Sequence, residues 1–178
     1  MTATRSVPSP TPASSKQRSS GTTTPQAANQ HELVFTRLID APKALVFQAW
    51  TQREHLMRWC APQGFAITYC EGEARPGGAW RTCMVSPAGI EHWVSGVYRE
   101  FVPDEKLVFT HIWDAEEGLP AHETLVTVDL ADEGQQTRLR FRQEHLRSAE
   151  SRSGHEIGWS ESFERLTGYL SEVQTANG

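Results

Sequence analysis

The chain has 178 residues, of which 38% are hydrophobic and 22% charged, with a formal net charge of −5. This is the balance of one globular domain with a real core, and no run approaches the roughly 20 apolar residues that span a bilayer. Acids outnumber bases, which argues against the clustered basic face of a nucleic-acid binder and against anionic membrane surfaces.

The first 30 residues are rich in Ser, Thr, Pro and Ala, with Met1 and Val7 as the only larger apolar side chains. Such a segment cannot bury enough surface to offset its ordering entropy, so it reads as a disordered tail. Its acid-poor composition leaves a transit peptide as the alternative. Arg5, Lys16 and Arg18 are its only charged residues, so the body of the chain holds 14 basic against 22 acidic residues, a formal charge of −8. No apolar leader follows the first basic residue, and the protein is expected to be soluble and cytoplasmic. Cys60, Cys70 and Cys83 are odd in number and form no CxxC pair; they read as reduced, half-buried small residues.

A single domain is expected over residues 31–175. "ELVFTRLID" reads as a strand. "APKALVFQAW" follows as a short helix, with Pro42 in its first turn and Asp40 as a candidate cap. "QREHLMRWC" continues as a second short helix. Six strand-like runs come next, "FAITYCE", "GAWRTCMVS", "HWVSGVYREF", "KLVFTHIW", "ETLVTVDL" and "TRLRFRQE", separated by credible turns. In the last of them Leu139 and Phe141 alternate with Arg138, Arg140 and Arg142, which gives a strand one dry face and one wet face, as in an antiparallel sheet. The chain closes on its best-formed helix, "GHEIGWSESFERLTGYLSEV". Here Trp159, Phe163, Leu166, Leu170 and Val173 draw one apolar stripe, and Ser153 with Glu156 has the spacing of a capping box.

One antiparallel sheet must cover its apolar face, and one long helix is available to do so. The expected fold is therefore α+β: a curved antiparallel sheet of six to seven strands wrapped around a long C-terminal helix, with two short helices after the first strand. A curled sheet with one helix rarely fills its interior, so a cavity is expected. Gly158 bears on this point, because a helical glycine costs about 1 kcal/mol relative to alanine. It either admits the close approach of another backbone or leaves room for something that is not protein.

The segments "RLIDAPKALVFQAWTQREHLMRW", "RPGGAWRTCM", "SGVYREFVPDEKLVFTHIW" and "GWSESFERLTGYL" resemble the START-like (SRPBCC) helix-grip superfamily. Within it they resemble the branch homologous to the C-terminal domain of the activator of the heat shock protein 90 ATPase. The resemblance runs from about residue 32 to 174. It implies the helix-grip fold, and it leaves function open among lipid carriers, receptors, aromatase/cyclases and chaperone activators.

Alternation assigns inward faces to Trp80, Thr82 and Met84; to Phe109, His111 and Trp113; to Thr124, Val126 and Val128; and to Leu139, Phe141 and Gln143. The helix adds Trp159, Phe163 and Leu166. From these, the candidate ligand-binding residues are Trp80, Thr82, Met84, Phe109, His111, Trp113, Val126, Phe141, Gln143, Trp159 and Phe163. The set is aromatic and apolar with a few polar handles, as in a small-molecule pocket; filling a core is the alternative for each residue. His111 is the one histidine whose neighbours place it inside, and it is the candidate proton shuttle. His92 is similar but less determined, and His31, His55, His122, His145 and His155 read as surface or loop residues. Arg75 and Glu100 are polar strand-edge residues, expected to pair structurally or to mark a ligand's polar end. No HExxH, GxSxG, phosphate-binding loop or GxGxxG occurs, so neither a metal nor a cofactor is expected.

Three readings follow. The first is a carrier or sensor that binds a small hydrophobic or aromatic molecule. The second is a cyclase/dehydratase-like enzyme using the same cavity, with His111 moving a proton. The third, implied by the resemblance, is a stress-response protein with a chaperone as partner. The sequence leaves monomer and homodimer open.

Overall fold

The structure, a computed structural model, describes residues 31–115 and 120–177. The tail expected over residues 1–30 lies outside the described residues. Strand β1 (Glu32–Ile39) leads into two short helices, α1 (Lys43–Thr51) and α2 (Arg53–Trp59). Six strands follow: β2 (Ala66–Gly72), β3 (Ala79–Val85), β4 (Glu91–Val102), β5 (Lys106–Trp113), β6 (Glu123–Glu133) and β7 (Gln136–Glu144). A 29-residue helix, α3 (Ala149–Asn177), ends the chain. The α+β helix grip expected from the sequence is the fold that forms.

The sheet order is β1-β7-β6-β5-β4-β3-β2, antiparallel throughout. Strands β2 to β7 are therefore successive hairpins, while β1 joins the far edge beside β7. Helices α1 and α2 carry the chain from that edge back to β2. The β7 alternation fixes its faces: Leu139, Phe141 and Gln143 are buried, whereas Arg138 and Arg140 are exposed. On the wet side Arg142 bonds to Glu32 and Glu144; partly exposed pairs of this kind contribute at most about 1 kcal/mol each.

The sheet's dry face is covered unevenly. Phe163, Leu166 and Leu170 of α3 meet Val46, Phe47 and Trp50 of α1 and the inward residues of β5, β6 and β7 in one buried cluster. Each of those large side chains contributes about 1.5–3 kcal/mol by leaving water. The earlier part of the same α3 face carries Ser151, Gly154 and Gly158, too small to fill the space over β2, β3 and β4, and His155, which reaches Trp113 of β5. Half of the concave face is thus packed and half is not.

Several local expectations change. Helix α3 starts earlier than the Ser153–Glu156 spacing suggested: the backbone N–H of Ser151 donates to Ser148 Oγ at 3.1 Å, so Ser148 is the cap. Glu156 instead bonds to Arg152 one turn back at 2.8 Å. Asp40 does not cap α1, whose N-cap position is Pro42. The pairing of β4 with β5 shifts register between Tyr98 and Glu100.

Candidate functional site

The uncovered half of the sheet forms a wall in rows. Trp113 stands beside Val94, Val94 beside Thr82, and Thr82 beside Cys70, in register across four strands. One row over, His92 faces Met84, and on the other side Trp80 faces Gly96. Trp50, Leu56, Cys60 and Pro62 close a second side, and Gly154, Gly158 and Trp159 of α3 close the third. They enclose about 650 Å³, well inside the 300–1,000 Å³ typical of small-molecule sites.

Small residues on the inward face of α3 are what keep this space open. A Cβ on Gly154 would meet nothing within 4 Å, and one on Gly158 would touch Pro62 Cγ at 3.6 Å, an ordinary contact. Neither glycine is required for close backbone approach. They leave room.

Rings dominate the lining. His111 lies 5.3 Å from Trp113, 6.0 Å from Trp80 and 6.1 Å from Trp159 between ring centroids. Trp159 stacks on Trp50 at 6.0 Å and 25°. Arg53 and Glu71 are the lining residues among those described that carry formal charge, and both are exposed. Burial pushes the His111 imidazole down to about 3, with His155 opposite it adding to the effect; burial lowers His155 as well. Both rings are neutral at pH 7.

His155 has both nitrogens in use. Its Nδ1 is 2.7 Å from the Ser151 carbonyl oxygen, and Trp113 Nε1 donates to its Nε2 at 3.1 Å. The Nδ1 proton is therefore fixed, because an acceptor is needed at Nε2. A second chain of bonds runs behind the wall. Trp159 Nε1 donates to Gln143 Oε1 at 2.9 Å, Gln143 Nε2 donates to Thr124 Oγ1 at 2.8 Å, and Thr124 Oγ1 donates to the His111 carbonyl at 3.0 Å. That chain holds the cavity's tryptophan and its histidine in place from the core side. Nε1 of Trp50, Nε1 of Trp80 and Nδ1 of His111 are sealed from solvent without a partner among the described residues.

Of the residues nominated from sequence, Trp80, Thr82 and Met84 of β3, Phe109, His111 and Trp113 of β5, and Trp159 of α3 lie on the cavity wall. Val126, Phe141, Gln143 and Phe163 do not. They are packed where α3 meets the sheet: Val126, Phe141 and Gln143 face inward as alternation requires and are fully buried, and Phe163 of α3 is nearly so. Gln143 spends its amide within the core. Two wall residues were misplaced by sequence reasoning. His155 read as a surface or loop residue, and Trp50 was given no inward assignment. Arg75 and Glu100 do not pair with each other; Arg75 bonds to Glu73 and Glu100 to Lys106. Among the described residues no three or more His, Cys, Asp or Glu side chains gather as metal ligands, and no helix is long and apolar enough to cross a membrane.

Arg165 was also missed. From α3 its Nη1 donates to the carbonyls of Ala61, Pro62 and Phe65 at 2.9, 2.9 and 3.1 Å, and its Nη2 to that of Arg58 at 3.1 Å. The connection from α2 to β2, one side of the cavity, hangs on this guanidinium.

The architecture has close structural counterparts. Protein CV1439 from Chromobacterium violaceum superposes with a TM-score of 0.73 at 29% identity, over 79% of this chain and 96% of that one. Protein NE0264 from Nitrosomonas europaea gives 0.70 at 25% identity, over 82% and 97%. The AHSA1 protein SPO3351 from Silicibacter pomeroyi gives 0.71 at 24%, over 79% and 97%, and shares the fold. No curated protein matches. Residues 40–171 match the family described as "Activator of Hsp90 ATPase homolog 1-like protein". With that match across the helix grip, the chain belongs to the Activator of Hsp90 ATPase homolog 1-like family.

Proposed function

We propose that this protein binds a small hydrophobic molecule, preferably an aromatic one, in the cavity between β2–β5 and the first turns of α3. The observation that carries the reading is the 650 Å³ space itself, ringed by Trp50, Trp80, Trp113 and Trp159. Filling such a space with an apolar ligand gains about 25 cal/mol for each Å² of apolar surface removed from water.

The six tryptophans supply the test. In the nitrogen-15-labelled protein, a panel of fatty acids, flavonoids and polyketide-like aromatics is titrated while the indole N–H signals are followed. Saturable shifts are expected at Trp50, Trp80, Trp113 and Trp159. Trp59, whose Nε1 donates to the Ala49 carbonyl at 2.8 Å deep in the core, and the outer-face Trp93 should stay still. Silence at all six across the panel would remove the ligand reading.

The family description supports a second reading, a partner-binding role toward a chaperone. Retention of the full chain by the Hsp90 middle domain is the corresponding test, and no retention at tens of micromolar would count against it.

A further inference from the structure

Most polar groups on the cavity wall have partners, and three nitrogens, Trp50 Nε1, Trp80 Nε1 and His111 Nδ1, have none among the described residues. His155 and Trp113 satisfy each other, and Trp159 is satisfied by Gln143. The Ser162 hydroxyl donates to the Gly158 carbonyl at 2.8 Å, and the Thr51 hydroxyl to that of Phe47 at 2.9 Å. The Tyr98 hydroxyl is amphoteric, and so meets a donor or an acceptor equally well. Trp80 Nε1 turns toward the sheet, 2.6 Å from where a Cβ on Gly96 would stand. The Trp50 and Trp80 indoles can only donate, whereas the neutral His111 ring also offers an acceptor. His111 is 6% exposed, and among the described residues its Nδ1 has no partner in another side chain or backbone group.

Its own backbone carbonyl is the hydrogen-bonding group near the ring. Nδ1 is sealed from any ligand; a proton on that side, toward the residue's own carbonyl, leaves the lone pair on Nε2. Nε2 is thus the ring's open acceptor, and a donor brought by a ligand would satisfy it. Being neutral, the ring offers no counter-charge to an anion. The aromatic rings of Trp80, Trp113 and Trp159 around it suit a flat partner.

We propose that the cavity selects an uncharged, planar aromatic molecule bearing a hydroxyl group, a phenol or an enol, whose O–H donates to Nε2 of His111. The proposal rests on the ligand-cavity reading and narrows it. His111 is the specificity-determining residue, and Gly154 and Gly158 make the space for the ring system.

The test uses four probes of one skeleton on the full chain at pH 7: 2-naphthol, 2-methoxynaphthalene, naphthalene and 2-naphthoate, by calorimetry. 2-Naphthol should bind saturably and about tenfold more tightly than its methyl ether, the value of one buried hydrogen bond. His111→Phe should bring the two within about twofold of each other. Because that variant removes a buried side chain, the wild-type protein is also read directly: the nitrogen-15 resonance of His111 Nε2 should move on addition of 2-naphthol and stay fixed with the ether. Equal binding of naphthol, ether and hydrocarbon, or tightest binding of the carboxylate, overturns hydroxyl recognition and leaves the hydrophobic-cavity reading standing. No saturable binding by any of the four overturns both.

Discussion

The indole of Trp80 lies across Gly96, its partner on the neighbouring strand. A Cβ at position 96 would stand 2.6 Å from Trp80 Nε1 and 1.8 Å from the Thr110 carbonyl oxygen. The second contact is with backbone, so no rotamer change relieves it; β4 and β5 must separate. Gly96→Ala should therefore destabilise by roughly 3 kcal/mol, the upper end of overpacking costs. Urea unfolding followed by tryptophan fluorescence gives the value, and a loss under 1 kcal/mol would show that the strands adapt freely.

The two helical glycines behave oppositely. Open space surrounds the Cβ position of Gly154, and at Gly158 an ordinary contact with Pro62 awaits. Each replacement by alanine should raise stability by about 0.5–1 kcal/mol, the helical cost of glycine recovered, which for a domain of this size is about 1–4 °C in Tm. Gly154→Leu should keep that stability yet weaken 2-naphthol binding. Thermal unfolding and calorimetry on the same variants separate the two effects.

Acid should loosen the protein through its buried imidazoles. A free histidine titrates at 6.5, whereas burial holds His111 at about 3 and lowers His155. Above pH 6.5 folded and unfolded states are both neutral at these sites. Between 6.5 and 3 the unfolded chain takes up protons that the folded one refuses, so stability falls as pH falls, by up to about 1.4 kcal/mol per pH unit for each fully shifted group. His111→Phe should flatten the dependence. Urea midpoints from pH 7.5 to 4.5 for both proteins provide the comparison, and parallel curves would show that His111 protonates without penalty.

Behind the wall, Gln143 is the link whose loss should be felt in two places. Gln143→Leu leaves the Trp159 N–H without its acceptor and Thr124 Oγ1 without its donor, at about 2 kcal/mol. The Trp159 indole N–H signal should move upfield in the same variant. An unmoved signal would mean that Trp159 is positioned by packing against Phe141 and Phe163 alone.

Much of this architecture was legible because strands state their faces. The alternation of Leu139 and Phe141 with three arginines, and the stripe from Trp159 to Val173, were enough to place the sheet under the helix. What alternation cannot state is coverage. Phe141 and His111 both point inward, and only the position of α3 decides that one is sealed and the other lines a cavity. A signal for this was present: carried backwards from Trp159, the stripe passes through Gly158, Gly154 and Ser151, whose small side chains mark where the helix cannot fill the space beneath it. His155 and the early start of α3 were missed together, since the Ser148 cap is a single hydroxyl that looks like any loop serine. Arg165 was invisible for another reason. It sits between apolar stripe positions, and its partners are backbone carbonyls about 100 residues away, which no side-chain pattern reveals.

That arginine gives the last prediction. One guanidinium nitrogen serves three carbonyls from Ala61 to Phe65, and the other serves Arg58 near the end of α2, while Glu161, one turn earlier on α3, accepts from the Gln63 backbone N–H at 3.0 Å. A lysine has a single head group and cannot span those carbonyls as the planar fork does. Arg165→Lys should cost about 2 kcal/mol, with the damage local: the connection from Cys60 to Phe65 should lose its protection against hydrogen exchange, while β6 and β7 keep theirs. Because Cys60, Ala61, Pro62 and Phe65 all line the cavity, 2-naphthol binding should weaken in step with the exchange. Faster exchange with unchanged affinity would mean that the loop closes the cavity without shaping it. Unchanged exchange would mean that the contacts of Leu56 and Trp59 hold the loop without the arginine.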